Sequence, residues 1–166
     1  MRKSPAQVYA LVFGLALTLA GIVGFFYTAD FSTGAAAADS ANKDALIGLF
    51  DVNGWHNVVH LASGVVGLSL AGSWFGARLY AWGFGLTYLV VTVIGFALGD
   101  GHAVLGLIPV NTEDNLLHVA ISVLGILAAL ATASAPPPTT VSTEAGSRAF
   151  ERTVRRRAGH QSPVTR

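Results

Sequence analysis

Two short segments of the chain place Asn and His side chains beside long apolar stretches. The first is NGWHNVVH at residues 53–60, and the second is NTEDNLLH at residues 111–118. Neutral His side chains bind transition metals and haem iron, and both Asn and His form hydrogen bonds between packed helices. These residue types therefore predict either a binding site or a polar contact between helices.

The composition indicates that these segments lie at the edge of a membrane. Hydrophobic residues make up 52% of the 166 residues, charged residues make up 11%, and the mean hydropathy is +0.57. A soluble domain usually has about twice that share of charged residues. Because the chain has no cysteine, disulfides and Cys-based metal sites are excluded. Four segments approach the ~20 apolar residues that cross a bilayer, at about 8–28, 55–74, 79–98 and 116–133.

The two halves of the chain resemble each other. Residues 9–25 align with residues 80–96, and residues 48–67 align with residues 106–125. Both members of the second pair follow the pattern G-L-x-x-V-N-x-x-x-N-x-x-H-x-x-x-x-x-x-G. Small residues continue along the same face of each predicted helix, which is typical of closely packed helices in membranes. We predict an all-α integral membrane fold with four transmembrane helices. These form two tandem helix-hairpin repeats, related by a pseudo-two-fold axis along the membrane normal.

The basic residues predict the orientation. Arg2 and Lys3, Arg78 in the predicted second loop and an Arg-rich C-terminal tail all fall on one side of the four spans, whereas the first and third loops are mainly acidic. By the positive-inside rule, both termini face the cytoplasm and NGWHNVVH faces outward. The first apolar segment is too long for a typical signal peptide, so we expect it to be retained. The protein is then a multi-pass protein of the plasma membrane.

The remaining segments differ from the four spans. The short apolar runs at 45–50 and 103–110 cannot cross a membrane, so we expect them at its interface or re-entrant, with Ile108 extended because it precedes Pro109. Residues 1–133 are predicted to form the transmembrane domain, and residues 134–166 a disordered cytoplasmic tail, Pro/Ser/Thr-rich and then Arg-rich. Four basic residues of this tail could bind anionic lipid, namely Arg152, Arg155, Arg156 and Arg157.

One interpretation of the two polar segments is structural. Six residues occupy matching positions: Asn53, Asn57, His60, Asn111, Asn115 and His118. The first Asn of each segment precedes a helix and is expected to cap it. The second Asn and the His of both segments would meet across the pseudo-two-fold axis and form hydrogen bonds with one another, as a clasp between the outer ends of the second and fourth helices. His56 has no counterpart, because Asp114 occupies the equivalent position, and it falls outside this symmetric set.

Two other interpretations give the same residues a binding role. His60 and His118 could ligate a haem or a divalent metal ion, with His56, Asp51, Glu113 or Asp114 as further ligands of a metal. The small residues one turn deeper leave little room for haem. Alternatively, the polar cluster could open a path for a proton or a small solute, although the inner halves of the helices show no charged relay.

The duplicated N-x-x-H motif, in NVVHLASGVVGL and NLLHVAISVLGI, resembles a family of small, largely actinobacterial membrane proteins known as domain of unknown function 4383. The resemblance covers about residues 5–132. It implies a four-helix integral membrane domain and brings no activity, cofactor or catalytic residue. The positions it would mark are Asn57, His60, Asn115 and His118.

The expected function is that of a scaffold or accessory subunit in a cell-envelope complex. Signatures of zinc hydrolases, phosphate-binding loops and serine esterases are missing from the chain, so we expect no enzyme activity and no cofactor. The expected partners are the lipid bilayer and either another membrane protein or a second copy of the chain, and not nucleic acid.

Overall fold

The computed structural model describes residues 2–41, 46–133, 151–152 and 155. The described part is mostly helical, as expected. Its elements in chain order are α1 (Pro5–Tyr27), α2 (Ala35–Ala41), α3 (Gly54–Leu70), α4 (Trp74–Leu98), β1 (His102–Val104), β2 (Ile108–Val110) and α5 (Thr112–Ala131). The fold is not purely helical, since β1 and β2 form a two-stranded antiparallel sheet that the sequence did not predict.

Three of the helices are long and apolar enough to cross a membrane, namely α1, α4 and α5. Their lengths are 23, 25 and 20 residues. Helix α3 has 17 residues, which correspond to about 26 Å of helix rise. It therefore falls a few ångströms short of a hydrocarbon core of about 30 Å.

Each of the four long helices begins at a polar side chain that accepts a hydrogen bond from a backbone N–H three residues on. The caps are Ser4, Asn53, Ser73 and Asn111. The predicted capping role of the two Asn residues is thus confirmed. We had predicted that Arg78 lies in a loop. Because α4 begins at Trp74, this residue lies within the helix instead. Its guanidinium Nε donates to the Ala129 carbonyl (3.2 Å) near the end of α5.

Glycines bring α1 against α3 and α4 against α5. A Cβ atom added to Gly14 would lie 2.8 Å from the backbone nitrogen of Leu68, and one added to Gly85 would lie 3.0 Å from that of Ile126. Such distances leave no space for a side chain, so the two helices of each pair are in backbone contact. The stripes of small residues seen in the sequence therefore lie at these helix–helix contacts.

The loop before α3 and the loop between α4 and α5 each contain a turn with two consecutive positive φ angles. Ile47 and Leu105 have positive φ angles of 52° and 53°, and the glycine that follows each has a φ of 74° or 66°. Consecutive positive φ angles are typical of the tight turns of β-hairpins. The second turn joins β1 to β2. Because β2 begins at Ile108, the predicted extended conformation of this residue is confirmed. Ile47 and Leu105 are exposed at the tips of these turns.

The C-terminal segment is described at three residues. Glu151, Arg152 and Arg155 are helical and exposed. Residues 134–150, 153–154 and 156–166 lie outside the described residues, and with them the prediction of a disordered tail and two of its basic residues, Arg156 and Arg157.

Candidate functional site

The first Asn of each polar segment binds two backbones at once. Asn53 caps α3 through its Oδ1, and its Nδ2 donates to the Leu107 carbonyl (2.7 Å) in the second apolar turn. Asn111 caps α5 in the same way, and its Nδ2 donates to the Leu49 carbonyl (2.8 Å) in the first apolar turn. Each of these side chains therefore joins the start of one helix to the apolar turn in the other half of the chain.

The second Asn of each segment packs against a glycine. A Cβ atom on Gly24 of α1 would overlap Oδ1 of Asn57, and one on Gly95 of α4 would overlap Oδ1 of Asn115. Both Asn side chains are almost completely buried. The Nδ2 of Asn57 donates to the Thr28 carbonyl (2.9 Å) at the end of α1. These amides therefore fill the space beside the neighbouring helix of their own half of the chain.

The predicted hydrogen bonds among Asn57, His60, Asn115 and His118 do not form through these buried atoms. Oδ1 of both Asn residues and Nδ1 of both His residues are buried without a hydrogen-bond partner. The reason is geometric: each Asn turns to a glycine in its own half, and the His rings turn to other aromatic neighbours. These two imidazole nitrogens are unusual, because burying a polar atom without a hydrogen-bond partner costs free energy of folding.

The His rings form a cluster of three. His56 and His60 are one turn apart on α3, with ring centroids 4.3 Å apart, and His118 comes from α5 with its ring centroid 6.5 Å from that of His56. All three residues are buried, and one potential ligand atom from each lies within 4.8 Å of the other two. His56 has no counterpart in the matched set, but it was named as a further metal ligand, and the fold places it beside the two matched His residues.

The orientation of His56 is set by the loop that precedes α3. Its Nδ1 lies 2.9 Å from the carbonyl oxygen of Asp51. Because a carbonyl can only accept, Nδ1 carries the hydrogen and Nε2 of the neutral ring keeps its lone pair. The backbone N–H of Asp51 in turn donates to Oδ2 of Asp114 (3.0 Å). A carboxylate thus supports the loop that orients the imidazole.

The acidic residues named as further metal ligands do not join the three rings. Among the described residues, the atoms near enough to share one ion belong to the three His side chains.

The Asp51 carboxyl lies in the loop before α3. Burial raises its pKa above the usual range, and the nearby Asp100 and Glu113 raise this pKa further.

A small cavity adjoins the three rings. Its volume is about 80 Å³, and His56, His60, His118, Ser63, Phe84 and Tyr88 belong to its lining. The Tyr88 ring meets His118 edge-on at 4.9 Å between centroids. The cavity volume is well below the ~300 Å³ at which ligand pockets usually begin, and it is comparable to that of a few water molecules. Nothing in the local sequence around Tyr88 indicated that it would face His118.

Comparison with known proteins gives one positive result. Residues 7–131 match the model of a protein family described as "Domain of unknown function (DUF4383)". No curated protein matches the chain, and no solved structure matches it.

Proposed function

We propose that this chain, which belongs to the family of the domain of unknown function 4383, is a four-span integral membrane protein that acts as a non-enzymatic scaffold or accessory subunit of a cell-envelope complex. Three membrane-compatible helices support the membrane location. Helix α3 is the fourth span in this proposal. Its shortfall of a few ångströms is within what a bilayer accommodates by local thinning.

Two tandem helix hairpins, α1 with α3 and α4 with α5, are the proposed architecture. Two hydrogen bonds support it, because they join residues at equivalent positions of the aligned halves. The hydroxyl of Tyr9 donates to the Ile121 carbonyl (3.0 Å), and the hydroxyl of Tyr80 donates to the Ser63 carbonyl (3.2 Å). Each bond crosses from one hairpin to the other, as a pseudo-two-fold axis between the hairpins requires.

The non-enzymatic role is supported mainly by the hydrogen bonds of the Asn side chains. Asn53, Asn57 and Asn111 all donate to backbone carbonyls, so their amides are engaged in holding helices and loops together. The cavity beside the His residues is too small for an organic substrate of ordinary size. A rigid outer end of this kind suits a protein whose role is to present a surface to a partner.

In the proposed orientation both termini face the cytoplasm and the two apolar turns face outward, as the charge distribution predicts. The exposed Arg152 and Arg155 then lie on the side where anionic lipid is concentrated. The apolar turn tips, Ile47 and Leu105, would lie at the outer interface. The loop between α3 and α4, which contains Gly72, would lie inside.

Cysteine labelling tests this topology directly, because the natural chain contains no cysteine. We would introduce Ile47→Cys, Leu105→Cys and Gly72→Cys one at a time and treat intact cells with a membrane-impermeant maleimide. The two turn positions should react in intact cells, and Gly72→Cys should react only after permeabilisation. The unmodified chain is the control for background labelling. If Ile47→Cys and Gly72→Cys react from the same side, α3 does not cross the membrane and the four-span proposal is wrong.

The accessory role is tested by the size of the extracted protein. In native gel electrophoresis of membranes dissolved in a mild detergent, the chain should migrate in an assembly clearly larger than its own 17.2 kDa. Mass spectrometry of that band then distinguishes another membrane protein from further copies of this chain. Migration as a single chain at physiological expression level would contradict the proposal.

A further inference from the structure

We infer that His56, His60 and His118 bind one divalent transition-metal ion, which joins the outer ends of α3 and α5. The inference goes beyond the scaffold role, and it does not depend on which partner the protein has. The first support is distance. One potential ligand atom from each ring lies within 4.8 Å of the other two. Around a zinc ion bound at about 2.0–2.1 Å, imidazole nitrogens are about 3.4 Å apart, so each has to move inward by at most about 0.8 Å.

The second support is that each of the three rings has a nitrogen atom without a hydrogen-bond partner. Nδ1 of His60 and Nδ1 of His118 are buried and have no hydrogen-bond partner, which is unusual for polar atoms inside a protein. His56 differs, since its Nδ1 is bound to the Asp51 carbonyl and its Nε2 is left free. A backbone carbonyl behind the ring is one of the common partners of a metal-ligating His, and it fixes both the tautomer and the orientation of the ring.

The third support is the space beside the rings. The adjoining cavity of about 80 Å³ accepts an ion and a few waters, and Ser63 and Tyr88 line it beside the His residues. Three protein ligands then leave one position open toward this cavity, for a water or a small anion.

The nature of the ligands selects the class of metal. Three neutral imidazoles, without a carboxylate or a thiolate, favour Zn²⁺, Cu²⁺, Ni²⁺ or Co²⁺ over Mg²⁺ and Ca²⁺, which require oxygen ligands. His56 and His60 stand at positions i and i+4 of one helix, the spacing by which helical His pairs share a zinc ion. Because His118 belongs to the other proposed hairpin, the ion would connect the two halves of the fold.

Zinc titration of the full-length protein tests the inference. The chain is purified in detergent with an affinity tag that contains no histidine, stripped of metal with a chelator, and titrated with Zn²⁺ in a calorimeter. We expect one zinc ion per chain, no heat of binding with Mg²⁺, and a loss of affinity of at least about 100-fold in His56→Ala, His60→Ala and His118→Ala. His102→Ala is the matched control, because His102 is exposed on β1 and should leave zinc binding unchanged.

The unmodified protein provides a second measurement in case a variant fails to fold. X-ray absorption of the zinc-loaded chain should show three imidazole nitrogens at about 2.0–2.1 Å. Zinc should also raise the melting temperature of the unmodified chain and of His102→Ala. Absence of zinc binding by the unmodified chain, the same affinity in His118→Ala, or a zinc ion surrounded only by oxygen would each overturn the inference. None of these results would affect the topology or the assembly tests of the scaffold role.

Discussion

The contact between Gly24 and Asn57 determines how closely the end of α1 approaches the start of α3. A methyl group at Gly24 would overlap Oδ1 of Asn57, whose side chain is completely buried and whose Nδ2 donates to the Thr28 carbonyl (2.9 Å). In Gly24→Ala the amide of Asn57 therefore has to move, and this hydrogen bond is lost.

The expected cost follows from three contributions. Overpacking of a tightly filled site costs about 1–3 kcal/mol, and a buried amide left without its partner costs about 1–3 kcal/mol. The greater helix propensity of Ala offsets about 1 kcal/mol of this. We therefore expect Gly24→Ala to lower the free energy of unfolding by about 1–5 kcal/mol.

Unfolding by SDS in mixed micelles, followed by the fluorescence of the three Trp residues, measures this change. Gly83→Ala is the matched control, because Gly83 is also helical and a Cβ added there has no atom within 4 Å. This control should match or slightly exceed the stability of the unmodified protein. In an Asn57→Ala background the space beside Gly24 is free, so Gly24→Ala should cost less there. A Gly24→Ala variant as stable as the unmodified protein, or one with the same cost in both backgrounds, would refute the packing argument.

Three further predictions concern single side chains. Tyr9→Phe removes the hydrogen bond to the Ile121 carbonyl and should lower the free energy of unfolding by about 1 kcal/mol in the same SDS titration, whereas Tyr27→Phe, at a site that is 46% exposed, should have no effect. Equal effects would speak against that bond. Asn111→Ala removes the cap of α5 and should cost about 1–2 kcal/mol, with faster amide hydrogen exchange in the first turn of this helix. Unchanged exchange would contradict the capping role. Burial raises the pKa of Asp51, so its contribution to stability is most favourable below the unfolded pKa of about 3.9 and declines as pH rises through the folded pKa. The melting temperature of Asp51→Asn should therefore exceed that of the unmodified protein near neutral pH and approach it below about pH 4, and a difference independent of pH would disprove this.

The long helices could be predicted from the sequence because apolar length is a local property. The starts of α1 and α4 were placed too late, since Ser4 and Ser73 cap these helices without adding to their hydropathy. Helix α2 and the β1–β2 sheet were missed because their residues occur in short runs with no clear period.

The site could be predicted only in part. The capping role of Asn53 and Asn111 depends on the three residues that follow each of them, so it could be read from the chain. The expected bonds between the Asn and His side chains do not involve Oδ1 of Asn57, which packs against Gly24 of the neighbouring helix, or Nδ1 of either His. The three-His cluster depends on how the first turns of α3 meet those of α5, which no local sequence pattern contains.

The proposed repeat is not symmetric at the three-His cluster, where the candidate metal ligands lie. His60 and His118 are equivalent residues, and two such residues alone would offer a metal ion only two ligands. His56 and Asp114 also occupy equivalent positions but differ in type, so only one half supplies a third imidazole. The carboxylate of Asp114 instead accepts the backbone N–H of Asp51, whose carbonyl orients His56. The two unlike residues thus act on the same ligand, one as the imidazole and the other as the support of the loop behind it. Asp114→Ala removes the acceptor of this hydrogen bond and should therefore weaken zinc binding by about 10–100-fold and leave one site per chain, as expected for a group that acts through the orientation of a ligand. An unchanged zinc affinity in this variant would mean that the loop holds His56 without the carboxylate.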